Sequence, residues 1–153
     1  SIRRNSPLCL DSKIHHANLI NNILAKIEAN HAGVDDAIML DLNGFVAETN
    51  ATNIFMIKNG VVITPFPRAC LPGITRGLII EHCINNNIPI IEKDISVTEL
   101  YNADEVFTTG TMGELVRVAE IDRRKINNSG QMFSELQAIF RKLTETEGES
   151  LPF

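Results

Sequence analysis

The stretch that decides the fold is residues 44–64, GFVAETNATNIFMIKNGVVIT, because it contains two neighbouring strand patterns and the turn between them. Residues 53–57 and 61–64 are rich in β-branched and aromatic side chains. Between them lies Asn59-Gly60, a dipeptide that accepts positive φ at both central positions of a tight turn. The sequence therefore predicts a β-hairpin at this place.

An acidic residue, Glu48, lies just ahead of the hairpin in an apolar and small-polar setting. Burying a carboxylate is costly unless a cation or hydrogen-bond donors compensate it. No Lys or Arg occurs between Glu48 and Lys58, so a cationic partner must come from elsewhere in the chain or from a ligand. Two interpretations stay open: Glu48 lies on the solvent side of an edge strand, or it faces a ligand nitrogen that it keeps protonated.

Composition narrows the class of protein. The chain has 153 residues, of which 44% are hydrophobic and 22% charged, which fits one globular domain with its own core. The net charge is −5 and basic residues cluster only at 3–4 and 123–125, which disfavours a nucleic-acid partner. No apolar run predicts a membrane span. Cys9, Cys70 and Cys83 lack metal-ligand spacing and suit reduced thiols. They favour the cytoplasm, or an organelle stroma if a transit peptide was removed.

Helix and strand patterns alternate along the chain, which predicts a single α/β (α+β) domain. The first helix carries an apolar stripe formed by Leu19, Ile20, Ile23, Leu24 and Ile27. A later one begins with a capping box of Ser96 and Glu99. Helices are predicted at residues 18–28, 75–85, 96–102 and 132–143, and strands at 37–42, 53–57, 61–64, 88–92, 105–109 and 114–121.

Two glycine-centred turns could bind an anion. Gly73 precedes a predicted helix, so the free N–H groups of Ile74 and Thr75 would form a cradle there. Residues 108–111 leave a strand with three threonine hydroxyls around Gly110. An ordinary helix cap or tight turn explains each of them alone. Together with a buried acid, they fit a ligand with a phosphate at one end and a ring nitrogen at the other.

Six segments, in order, carry a family resemblance: NLINNILAKIEA at 18–29, DDAIML at 35–40, residues 46–55, PGITR at 72–76, ADEVF at 103–107 and TGT at 109–111. With these, the chain resembles the C-terminal, larger domain of the fold-type IV pyridoxal-phosphate (PLP) aminotransferases. The resemblance implies a mixed sheet or pseudo-barrel flanked by helices. It implies an interdomain arm at 1–12, a PLP-binding domain at 13–145 and a tail at 146–153. A smaller domain of roughly a hundred residues would precede the arm, and it has no counterpart here.

The resemblance also implies roles for individual residues. Glu48 would pair with the pyridine nitrogen of PLP and keep it protonated, so that the ring can act as an electron sink. Ile74, Thr75 and Thr111 would hold the 5′-phosphate. The full set of cofactor-binding residues implied is Glu48, Asn50, Ala51, Thr52, Gly73, Ile74, Thr75, Gly110 and Thr111.

The catalytic lysine departs from the family pattern. In relatives a lysine lies three residues before the asparagine that matches Asn18, and here that position is His15, followed by His16. A histidine cannot form the Schiff base. The nearest lysine is Lys13, and residues two apart on an extended strand face the same side roughly 6–7 Å apart. Lys13 is therefore the candidate Schiff-base residue, with a solvated linker charge as the alternative. The histidines would lie near the cofactor or the substrate, or be ordinary half-buried side chains.

The predicted function is a PLP-dependent aminotransferase that moves an amino group between a small amino acid and a 2-oxo acid, as a homodimer by resemblance. A catalytically inactive PLP-binding scaffold and a lyase of the aminodeoxychorismate type are the alternatives. A second departure from the family lies in the loop at residues 122–130, where Arg123 replaces a glycine. No metal, nucleic-acid or membrane partner is predicted.

Overall fold

A computed structural model describes residues 2–127 and 130–146 of the chain. It contains nine strands and four α-helices over those residues, with a short 3-10 helix at Ser12–Ile14. The strands are β1 (Ile38–Leu40), β2 (Val46–Thr49), β3 (Asn53–Lys58), β4 (Val61–Thr64), β5 (Ile90–Glu92), β6 (Glu105–Gly110), β7 (Glu114–Arg117), β8 (Glu120–Ile121) and β9 (Arg124–Lys125). The helices are α1 (Ile20–Ala32), α2 (Ile74–Asn85), α3 (Val97–Tyr101) and α4 (Met132–Thr146).

The main sheet has the strand order β5-β4-β3-β6-β7. β3 is antiparallel to both β4 and β6, and β4 is parallel to β5, so the sheet is mixed as expected. Asn59 and Gly60 have φ values of 50° and 75°, which confirms the predicted hairpin turn. β1 and β2 form a separate antiparallel pair, which leads into β3 through the turn at residues 50–52.

The core lies on both faces of the sheet, because successive side chains of a strand point to opposite sides. Ile54 and Met56 belong to one buried cluster, which also includes Leu100 of α3. Phe55 belongs to the other, where its ring stacks on Phe107 with centroids 5.0 Å apart. α2 and α4 cover this second face.

One predicted element is confirmed in detail and another is wrong. The capping box of Ser96 and Glu99 is confirmed at the start of α3. The strand expected at 114–121 is wrong as a single element, because it divides into β7 and β8. After β8, Asp122 and Arg123 both take positive φ and turn the chain into a second small hairpin. Residues 147–153, most of the predicted tail, lie outside the described part of the chain.

The apolar stripe of the first helix forms, but it faces away from the body of the protein. Ile20, Ile23 and Leu24 are 56%, 50% and 43% exposed, whereas the buried residues of α1 are Ala25 and Ala29. Small residues therefore form the buried face of α1, and the larger side chains point outward. Within residues 2–127 and 130–146, no helix combines the length and apolarity that crossing a bilayer requires.

Candidate active site

Glu48 is buried in the middle of β2, with 6% of its surface exposed. Its Oε1 lies 2.9 Å from Nη2 of Arg4. Its Oε2 accepts hydrogen bonds from Asn53 Nδ2 and from the Leu71 backbone N–H, both at 3.3 Å. The interpretation of Glu48 as a solvent-facing residue is therefore wrong, and its cationic partner comes from the N-terminal arm.

Arg4 is the residue that the sequence analysis missed. It is only 5% exposed, and its guanidinium reaches several parts of the chain. Nε donates to the Ala69 carbonyl at 3.0 Å, Nη1 to Asn22 Oδ1 at 2.6 Å, and Nη2 to Ser12 Oγ at 2.5 Å. The arm is thus part of the folded site. The one available signal was that Glu48 required a cation from outside its own segment.

Burial sets the protonation behaviour of Glu48. Desolvation raises the pKa of its carboxyl from 4.5 to about 7, although the charge of Arg4 and the Leu71 N–H act to lower it. Burial, and next the charge of Glu48, raise the pKa of the neighbouring Cys70 thiol to about 12. Near neutral pH the Glu48 carboxyl is therefore balanced between its two protonation states, and a further cation would favour the ionised one.

The first glycine turn lies against the Glu48 cluster. Gly73 is the N-cap of α2, and no side chain caps that helix end. A Cβ built on Gly73 would lie 2.3 Å from Asn53 Oδ1, so only glycine lets the helix start this close to the first residue of β3. Thr75 is buried and Ile74 is 81% exposed. The uncapped amides of α2 are therefore next to the side chain that donates to Glu48.

The second glycine turn reaches the same end of the sheet. Thr109 lies opposite Asn53 in the β3–β6 register, and its buried Oγ1 has no hydrogen-bond partner among the described residues. A Cβ on Gly110 would lie 3.1 Å from Thr52 Cγ2. Thr111 follows as an exposed turn residue. The acid and the two glycine turns are thus adjacent, around Asn53.

The turn between β2 and β3 holds the remaining predicted contacts. Asn50 Oδ1 accepts from the Ala37 N–H at 2.8 Å, so its side chain fixes the entry to β1. Thr52 Oγ1 lies 2.7 Å from Thr49 Oγ1, and Ala51 is exposed. Of these residues, Thr52 is the one in contact with the second glycine turn. Their roles toward a cofactor stay predictions.

Lys13 lies on the 3-10 helix and not on an extended segment, so that premise of its assignment is wrong. Its side chain is half exposed, and Nζ lies 3.8 Å from an Asp11 carboxylate oxygen. The buried residue of this helix is Ser12, which contacts Arg4. His15 ends the helix in the left-handed region with φ 52°, and Nδ1 of His16 is buried without a partner within the described ranges. The Schiff-base role of Lys13 stays a prediction.

Comparison with known proteins decides the family. The sequence profile described as "Amino-transferase class IV" matches residues 1–121. The chain belongs to the class IV aminotransferases. It is 57% identical over 152 residues to the branched-chain-amino-acid aminotransferase-like protein 2 of Arabidopsis thaliana, covering 98% of this chain and 27% of that protein. The fold-type IV resemblance and the fold class are confirmed.

Solved structures agree with this assignment. The branched-chain aminotransferase of Thermoproteus uzoniensis with norvaline superposes with a TM-score of 0.92 at 34% identity, covering 97% of this chain and 50% of that one. The PLP form of the branched-chain amino acid aminotransferase from Thermobaculum terrenum gives 0.91 at 31% identity, with coverage of 97% and 50%. The class IV chain described here thus spans about half the length of these structures and about a quarter of the plant relative.

Proposed function

We propose that this chain is the PLP-binding part of an amino-acid aminotransferase. The observation that carries the proposal is the convergence of a buried carboxylate, Glu48, with two glycine turns on one end of the sheet. Glu48 would face the pyridine nitrogen. The uncapped amides at Ile74 and Thr75, together with Thr111, would take the phosphate.

The residues present fit such a ligand on two counts. The orphaned hydroxyl of Thr109 is a buried polar group that lacks a partner within the chain as described, which is unusual and points to a contact from outside the chain. The raised pKa of Glu48 means that a cationic ring nitrogen would bring it to the ionised form. When bound, PLP supplies an electron-withdrawing ring, while Glu48 holds the proton on the ring nitrogen and the helix amides fix the phosphate.

The substrates belong to the same proposal. The names of the relatives support a branched-chain or similar small apolar amino acid as donor and a 2-oxo acid as acceptor. Because this chain spans about half of the solved relatives, the full protein is the proper sample for measuring transfer. Branched-chain donors are expected to react faster than acidic ones, and the reverse order would contradict the donor class.

A second candidate function has one observation in its favour. Lys13 points toward Asp11 and solvent, and no described contact joins it to Glu48. The other lysines have other partners or are exposed: Lys26, Lys58 and Lys93 pair with Asp36, Asp104 and Glu99, and Lys125 and Lys142 are exposed. The alternative is a protein that holds the phosphorylated pyridine without a covalent bond.

One experiment separates the two candidates. The protein is mixed with PLP, treated with borohydride and digested, and the reduced adduct is located by peptide mass. An adduct at Lys13 that Lys13→Ala abolishes supports the aminotransferase. Lys26→Ala is the matched control, because Lys26 is similarly exposed and similarly paired with an aspartate. PLP bound with no lysine adduct supports non-covalent binding, and failure to bind PLP contradicts both.

We also propose a homodimer. The outward stripe of α1 supports it, since five large apolar side chains on one helix face are exposed. Ile23→Glu should convert the protein to a monomer in sedimentation velocity. Ile84→Glu, on an exposed position of α2, should leave the dimer intact. Equal behaviour of the two variants would contradict a role for the stripe.

A further inference from the structure

One guanidinium in the N-terminal arm joins four separate parts of the chain. Arg4 is fixed by its backbone, since its N–H donates to the Leu40 carbonyl at 2.9 Å. Its side chain then contacts the 3-10 helix, α1, the loop before α2 and β2. An arginine fork with this many partners has little freedom left, so it holds whatever it binds in one orientation.

We propose that Arg4 is a positioning residue of the cofactor site, whose guanidinium holds the Glu48 carboxylate ionised and aimed at a protonated ring nitrogen. This inference rests on the proposed function. It goes beyond that function because it assigns a role in ligand recognition to the arm, which the sequence pattern presents as a linker.

The hydrogen-bond inventory of Glu48 leaves room for such a nitrogen. An ionised carboxylate offers about four acceptor positions. Three donors occupy it here: Arg4 Nη2, Asn53 Nδ2 and the Leu71 N–H. One acceptor position remains for a ligand N–H. Arg4 itself bonds to the carboxylate and to neutral oxygens, so it neutralises Glu48 without closing the last position.

Arg4 is the one full charge that directly contacts Glu48 among the residues that the structure describes. From β1 the residue opposite Glu48 is Met39, which is uncharged. Cys70 lies in the loop before α2, and the pKa of its thiol is raised to about 12, so it is uncharged near neutral pH. The Arg76–Glu92 ion pair lies beyond Cys70 and carries opposite charges at 2.5 Å. The protonation of Glu48 therefore depends mainly on burial and on Arg4.

The first test measures Glu48 in the protein without ligand. Carbon-13 NMR of labelled glutamate carboxyls is followed from about pH 5 to about pH 9, and Glu48→Gln identifies the signal. Arg4→Met should raise the titration midpoint of Glu48 by about one pH unit or more. Arg3→Met is the matched control, because Arg3 is adjacent and exposed, and it should leave the midpoint unchanged. An unchanged midpoint in Arg4→Met would overturn the proposal, even if that variant is less stable.

A conservative variant keeps this test decisive if Arg4→Met does not fold. Arg4→Lys retains one charge but loses the planar fork. It should shift the Glu48 midpoint upward by less than Arg4→Met does. A midpoint in Arg4→Lys equal to that of the wild type would mean that the orientation of the guanidinium does not matter for Glu48, which contradicts the positioning role.

The second test uses pyridoxamine 5′-phosphate, a ligand that needs no lysine to bind. Near neutral pH, Arg4→Met should weaken its affinity about tenfold or more. In a Glu48→Gln background the same change should have little further effect, since Arg4 acts through Glu48. Equal weakening in both backgrounds would show that Arg4 merely supports the fold. If the wild type does not bind this ligand, the proposed function is wrong, whereas the NMR midpoint still reports on the Arg4–Glu48 pair.

Discussion

Two buried glutamates each have an arginine as neighbour: Glu48 contacts Asn53 at the start of β3, and Glu105 lies opposite Ile57 near the other end of that strand. Glu48 pairs at 2.9 Å with Arg4, which is itself buried, and both of its oxygens accept hydrogen bonds. Glu105 is 2% exposed, yet Arg117 lies 3.8 Å away with 32% of its side chain exposed, and Glu105 Oε2 has no hydrogen-bond partner in the described part of the chain.

The difference teaches that burial alone does not identify a functional acid. At Glu48 one cation and two hydrogen-bond donors hold the carboxyl group beside the two glycine turns. Glu105 lies at the start of β6, next to a surface cavity of about 410 Å³, where its arginine also lies over the ring of Phe133. Both oxygens of Glu48 have polar partners, whereas Glu105 Oε2 has none among the described residues, and this difference supports the proposed ligand role for Glu48 and not for Glu105.

The largest expected effect is on stability when each arginine is removed. Arg4→Met removes the cation beside Glu48 and all the buried hydrogen bonds that the guanidinium donates, so it should lower the free energy of unfolding by about 3–5 kcal/mol. Arg117→Met breaks a longer pair, at 3.8 Å, whose arginine side chain is 32% exposed, and should cost only about 1 kcal/mol. Urea unfolding of both variants measures this. Equal losses would mean that the two pairs do not differ as their geometry indicates.

The next effect is the pH dependence of stability at Glu48. A carboxyl whose pKa is raised from 4.5 to about 7 binds more protons in the folded state than in the unfolded state. Its contribution to stability is therefore greatest below about pH 4.5 and is lost as the pH rises to about 7. Relative to Glu48→Gln, the wild type should lose on the order of 3 kcal/mol across that window. Parallel stability curves for the two proteins would contradict the raised pKa.

A smaller effect is expected at the first glycine turn. Gly73→Ala places a Cβ 2.3 Å from Asn53 Oδ1, so the Asn53 side chain, which donates to Glu48, or the start of α2 must shift. We expect a cost of about 1–3 kcal/mol and weaker binding of pyridoxamine 5′-phosphate. The control is Gly77→Ala in the same helix, where nothing lies within 4 Å and alanine should stabilise by up to about 1 kcal/mol. Similar results for both glycines would refute the close approach at Gly73.

Local chemistry explains what could be predicted from the sequence. Asn59-Gly60 and the Ser96–Glu99 box specify their own turn and helix start within a few residues. Gly73 likewise marked the start of α2, although what it approaches, Asn53, was not predictable. Each of these signals depends on a few neighbouring residues, so the predicted local conformation also forms in the folded protein.

Features that depend on distant parts of the chain could not be predicted. Periodicity located the stripe of α1 but not the side on which the rest of the protein lies, and the small face of Ala25 and Ala29 packs inward. The pairing of Arg4 with Glu48 spans 44 positions, beyond any local pattern. The error at Lys13 is local, because Asp11 accepts the Lys13 N–H at 3.0 Å and starts a 3-10 turn where an extended segment is predicted.

The finest prediction compares two buried threonines that differ in one hydrogen bond. Thr64 Oγ1 donates to the Ile54 carbonyl at 2.9 Å, whereas Thr109 Oγ1 has no partner within residues 2–127 and 130–146. Thr64→Val should therefore lower the free energy of unfolding by about 1 kcal/mol and leave the affinity for pyridoxamine 5′-phosphate unchanged. Thr109→Val should have the opposite effects. It loses no internal hydrogen bond, so the free energy of unfolding should stay nearly the same, but the affinity for pyridoxamine 5′-phosphate should fall by up to about tenfold. Because both changes replace a hydroxyl by a methyl group, packing is nearly matched. If Thr109→Val left the affinity unchanged, the Thr109 hydroxyl would be an unsatisfied buried group with no role in ligand binding, like Oε2 of Glu105. The two ends of the sheet would then differ less than proposed.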